Sequence, residues 1–187
     1  MMISTHNTEE HSLQIYYNQI PHQLEDMPLD IGYASERVTL FDTEDRPVEI
    51  GGQNGKTQLI ISVPFIDESL TEELQEIAQL VGEVSAAETG REIETFLIVS
   101  ADGHEAPKQE TIRFLIDKEE AFGDWYGIRL KGPELEGAFT KSLTIISKDG
   151  AIFYDEYLQE INNCFNLERL RRKITAAQTC YTGKGCH

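Results

Sequence analysis

The stretch Thr57-Gln-Leu-Ile-Ile-Ser-Val-Pro-Phe-Ile-Asp-Glu-Ser-Leu-Thr-Glu-Glu-Leu-Gln-Glu-Ile-Ala-Gln-Leu-Val81 decides the fold. Leu59, Ile60, Ile61 and Val63 form a short apolar run rich in β-branched side chains, which predicts a central strand covered on both faces. Pro64 closes it, and Ser69 with Glu72 three positions later has the form of a capping box that opens a helix. Leu70, Leu74, Ile77, Ala78 and Val81 then line one helical face, and the helix is expected to end near Val81. The first turn of such a helix lies at the carboxyl end of the strand, where open α/β sheets place their chemistry.

Outward from this unit, Thr95 to Asp102 repeats the apolar strand pattern, so strand, helix and strand predict a parallel pair with a right-handed crossover. Residues 106–118, with Ile112, Leu115 and Ile116 on one face, predict a second helix. Leu143 to Ile146 and Ala151 to Tyr154 flank Lys148-Asp149-Gly150 and read as a hairpin by the Asp-Gly rule. Leu13 to Tyr17 and His22 to Leu24 form an N-terminal hairpin, and Val38 to Phe41 with Pro47 to Ile50 form another. A closing helix over 166–178 turns Leu167, Leu170, Ile174 and Ala177 inward. The expected architecture is an α/β domain over 13–178, in which the strands at about 58–63, 95–100, 143–147 and 151–155 are neighbours. Residues 1–12 read as a disordered N-terminus and 179–187 as a flexible, cysteine-bearing tail.

Val63-Pro64-Phe65-Ile66-Asp67-Glu68-Ser69-Leu70-Thr71 resembles the strand-to-helix segment of the thiol peroxidase branch of the peroxiredoxins, whose pattern is Pro, two residues, Asp-Thr, two residues, Cys. The resemblance implies a thioredoxin-like fold, a central mixed sheet flanked by helices with an N-terminal β-hairpin, and in the family a thiol-dependent peroxidase activity. It continues through Ser100-Ala101-Asp102, Tyr126-Gly127, the loop Gly132-Pro133-Glu134-Leu135-Glu136-Gly137 and Glu160-Ile161, and covers roughly residues 13–177. Laid on the family pattern, Thr71 occupies the place of the peroxide-reacting cysteine, Leu115 that of the resolving cysteine and Lys141 that of an active-site arginine. A hydroxyl is neither ionised near neutral pH nor soft enough to attack an O–O bond, and a lysine lacks the planar fork that orients two groups at once. The resemblance thus implies a protein that has lost the conventional chemistry and binds a partner or ligand, with a homodimer, a thiol reductant or a protein partner as its associates.

The formal net charge of −17 excludes a nucleic-acid or anionic-membrane surface as the expected partner. No apolar run approaches the length of a membrane span and the first residues have no leader pattern, so the cytoplasm is the expected location. Arg169, Arg171, Arg172 and Lys173 fall in what is expected to be the second half of the last helix, where cations oppose the helix dipole.

Three cysteines remain. Cys164 reads as a small buried hydrophobe. Cys180 and Cys186 stand in a glycine-bearing tail with Lys184 and His187 beside them, and read either as a reversible disulfide pair that has taken over thiol chemistry or as incidental residues of a frayed end. The same two cysteines with His187 make a poor metal set, because adjacent Cys186 and His187 are awkward ligands of one ion, so no metal or cofactor is expected. Thr71 stays open between a first-turn hydroxyl facing solvent and a donor to a ligand in the pocket.

Overall fold

The computed structural model describes residues 13–86, 92–109 and 111–179. Its centre is a seven-stranded sheet in the order β10-β9-β5-β6-β7-β3-β4, with a three-stranded sheet β1-β2-β8 beside it. In chain order the strands are β1 (Gln14–Tyr17), β2 (Ile20–Leu24), β3 (Val38–Phe41), β4 (Pro47–Ile50), β5 (Thr57–Ser62), β6 (Ile93–Val99), β7 (Arg113–Ile116), β8 (Leu130–Lys131), β9 (Ser142–Ile146) and β10 (Ile152–Tyr157). Among the described residues three helices accompany them: α1 (Glu68–Ala86), α2 (Ala121–Tyr126) and α3 (Leu167–Thr179).

The expected neighbours are neighbours. β5 runs parallel to β6, with Leu59 opposite Thr95 and Ile61 opposite Leu97, and antiparallel to β9, which pairs in turn with β10. Every residue of β5 is buried, as a strand covered on both faces requires. On one face Leu70, Leu74, Ile77 and Val81 of α1 and Leu170 and Ile174 of α3 pack on Leu59, Ile61, Leu97 and Leu143. The other face packs Ile60, Phe96, Ile98 and Leu115 against Phe122 and Tyr126 of α2. The N-terminal hairpin is present, turned by Asn18 and Gln19 at φ of 50° and 66°. The turn into β10 places Gly150 at φ 87°, and Lys141 precedes β9 at the opposite end of that strand from this turn.

Several expectations are corrected. The described residues of 106–118 form no helix: residues 113–116 are the strand β7, pairing parallel with β6 from Phe96↔Arg113 to Val99↔Ile116. The spacing of Ile112, Leu115 and Ile116 suits one face of a helix, but the free edge of β6 supplies a ladder for the backbone. Helix α1 runs on to Ala86 because Val84 still reaches the core. Its cap is Asp67, whose Oδ1 accepts from the Leu70 N–H at 2.8 Å, in place of Ser69 with Glu72. The basic cluster lies in the first half of α3 and is engaged with side chains: Arg169 with Glu156 at 3.3 Å, Arg171 with Glu83, and Lys173 over the Tyr154 ring. No helix of the described residues is long and apolar enough to cross a membrane.

Candidate functional site

At the carboxyl end of β5 the chain leaves the sheet through Val63 and Pro64 and enters α1 at Glu68. Ser62, the last residue of β5, fixes what lies opposite: its hydroxyl donates to the Thr140 carbonyl at 2.8 Å and meets the Ser142 hydroxyl at 2.6 Å. Lys141 sits between these two anchored residues and is therefore delivered to the start of α1. A cavity of about 230 Å³ opens there, lined by Val63, Pro64, Phe65, Asp67, Ser69, Leu70, Lys141, Ile161 and Asn162.

The Lys141 ammonium is buried, with 6% of the residue exposed, and its contacts are made by the protein itself. It donates to Glu73 Oε1 at 2.5 Å and to the Asn163 carbonyl at 2.7 Å, and stands 5.2 Å from the centre of the Phe165 ring. Glu73 is 4% exposed, and its other oxygen, Oε2, accepts from the Phe165 N–H at 2.6 Å. The carboxylate thus joins α1 to the segment before β9 and to the loop that enters α3. Such a pair offsets the cost of dehydrating each charge only while both partners and their extra hydrogen bonds are in place.

Thr71 does not share this arrangement. Its hydroxyl donates to the Asp67 carbonyl at 3.0 Å, a bond back along its own helix, and it is not among the residues lining the cavity. Thr71 and Glu73 are two positions apart, which on a helix is about 200° of rotation. The cation that reaches α1 meets Glu73 rather than Thr71.

Leu115 lies in β7, fully buried with Phe122 and Ile60 on the sheet face opposite α1, and so is remote from this cavity. Cys164 is exposed, contrary to its reading as a buried hydrophobe. Partial burial and then the nearby Glu73 carboxylate push its thiol pKa up, with Lys141 acting in the opposite direction. Cys180 and Cys186, together with Lys184 and His187, lie outside the described residues. Glu73 was legible as a signal: it sits between Leu70 and Ile77 on the apolar face of α1, where a carboxylate needs a partner. Its partner is 68 residues away, and the Asn163 and Phe165 backbone groups that complete the set have no sequence signature.

No known family profile matches the chain. A thiol peroxidase of Campylobacter jejuni is 26% identical over 176 residues, covering 89% of this chain and 95% of that protein. Among solved structures, a peroxiredoxin-like protein from Aquifex aeolicus aligns with a TM-score of 0.75 at 17% identity, over 89% of this chain and 98% of its own. A thiol peroxidase from Chromobacterium violaceum aligns at 0.69 and 13% identity, over 86% and 94% of the two chains.

Proposed function

We propose that this chain, a homologue of the thiol peroxidase branch of the peroxiredoxins, acts by binding at the cavity beside α1 and not by the family's cysteine chemistry. The observation that carries the proposal is the pairing of Lys141 with Glu73. In this reading Thr71 stands at the former peroxidatic position, Leu115 at the former resolving position and Lys141 at the arginine position. A peroxidase needs a cation free to face a thiolate and its peroxide. Here the cation is neutralised by a carboxylate, and the hydroxyl is spent on the Asp67 carbonyl.

The same pairing defines the ligand class. With Lys141 neutralised and Asp67 at the rim, the cavity offers an anion no excess positive charge, while Val63, Phe65, Leu70 and Ile161 offer an apolar wall and Ser69 and Asn162 offer polar atoms. A small uncharged molecule with one polar end fits this chemistry. The proposal keeps the cytoplasmic location, and a homodimer is supported by large apolar side chains left on the surface, Met27 at 82% exposure and Trp125 at 53% among them.

The test is peroxide consumption with a dithiol reductant, alongside chemical-shift mapping with small alcohols, amides and carboxylates. Negligible turnover, with shifts at Phe65, Leu70 and Ile161 caused by the uncharged probes, supports the reading. Turnover lost on Thr71→Ala overturns it, and turnover lost only when Cys180 and Cys186 are replaced by serine transfers the function to the tail.

A further inference from the structure

A buried histidine lies in the small sheet β1-β2-β8. His22, in β2, is 2% exposed and stands opposite Ile15 of β1. β2 also pairs with β8, Gln23 opposite Lys131 and Leu24 opposite Leu130, and the next step of that register brings Gly132 to the imidazole. The approach is close: a Cβ on Gly132, which has φ +144°, would stand 2.6 Å from His22 Cδ2. Only glycine lets the chain pass there.

Both ring nitrogens face carbonyl oxygens. Nδ1 is 3.0 Å from the Ile20 oxygen, and Nε2 is 2.6 Å from the Pro133 oxygen, across 111 residues of sequence. A neutral imidazole has one N–H and presents a lone pair to whichever carbonyl is left, whereas an imidazolium donates to both. The titratable and charged groups on the elements packed around the ring are Tyr16 and Tyr17 on β1, Lys131 on β8, and Glu134 and Glu136 in the loop. The Glu136 carboxylate accepts from the Gly132 N–H at 2.7 Å, which holds negative charge near the ring in the same loop.

We propose that His22 is a proton-operated clasp: the doubly protonated ring ties the loop over residues 132–137 to β2, and loss of one proton releases the Pro133 carbonyl. The loop is coupled to the cavity by packing. Leu135 shares a cluster with Ile15, Leu130 and Ile161, Phe65 packs against the same cluster, and Ile161 and Phe65 both line the cavity. The proton on His22 therefore sets how firmly that wall is held.

The experiment uses the full chain between pH 5 and 8. Long-range 1H–15N spectra report the protonation of each His22 ring nitrogen, and hydrogen exchange, corrected for intrinsic rate against the β3–β4 hairpin, reports the Leu135, Gly137 and Ala138 amides, which donate within this loop or to Leu130. The expected result is an imidazolium at the acid end and a loss of about tenfold or more in protection of these amides as the proton leaves, with the dependence abolished in His22→Gln. A ring that keeps one protonation state throughout, loop protection that ignores the ring titration, or the same pH dependence in His22→Gln each overturns the proposal. If His22→Gln does not fold, the two measurements on the unaltered chain decide it.

Discussion

The Thr71 hydroxyl donates to the Asp67 carbonyl at 3.0 Å, so the side chain at the first turn of α1 is bonded to its own helix. Thr71→Ala removes one local, half-exposed hydrogen bond. Its expected cost is within about 1 kcal/mol by urea denaturation, with the cavity unchanged. Thr71→Cys should react only slowly with peroxide in stopped-flow assays, because the nearby cation, Lys141, is held by Glu73 on another side of α1.

Glu73→Ala should be among the most destabilising single changes in the chain. It leaves Lys141 buried without its counter-charge and the Phe165 N–H without its acceptor, for a loss of about 3–5 kcal/mol. Glu73→Leu combined with Lys141→Met removes both charges together and should recover most of that loss. Denaturant midpoints for the single and double variants measure the difference.

Cys164 is accessible but protonated, since partial burial and Glu73 both raise its thiol pKa. Native-state alkylation followed by peptide mass spectrometry should find it modified, more slowly than free cysteine and with a rate still climbing above the ordinary thiol range. Glu73→Gln removes the repelling charge and should accelerate the reaction at fixed pH.

Asp117 is 1% exposed, and its two oxygens accept the Phe122 and Gly123 N–H groups at the start of α2, at 3.1 and 2.9 Å. Burial is the largest influence on it and raises its pKa. The folded state then holds the proton more tightly than the unfolded state. The contribution of this titration to stability is therefore full below the unfolded value of about 3.9 and is lost as pH rises through the folded one. The stability of the unaltered chain minus that of Asp117→Asn should fall as pH is raised from about 4. Asp117→Ala, which leaves two amides without acceptors, should cost about 2 kcal/mol or more at any pH.

The centre of the fold was readable because its signals are local and strong. Leu59 to Val63 is apolar but for Ser62, Phe96 to Val99 is apolar without interruption, and Asp149-Gly150 marks a turn whatever lies around it. Residues 113–116 were misread because Arg-Phe-Leu-Ile is too short to declare a period, and its state depends on the free edge of β6. At the site, residues 63–71 and Lys141 were legible as a place, whereas its electrostatics were not. Glu73 acquires its meaning from a lysine far along the chain and from two backbone groups of an irregular loop. Cys164 shows the same limit, since no periodicity tells an exposed position from a buried one between Asn163 and Phe165.

The Glu73–Lys141 pair also bears on how this surface can change by mutation. Placing a cysteine at Thr71 leaves the lysine committed to its carboxylate, while losing the carboxylate first strands a dehydrated cation at a cost comparable with a large part of a typical domain's whole stability of about 5–15 kcal/mol. Each single step toward a free Lys141 charge either leaves it neutralised or crosses a poorly folded intermediate. The pair therefore acts as a ratchet on this surface, because neither charge can be exchanged alone without stranding the other.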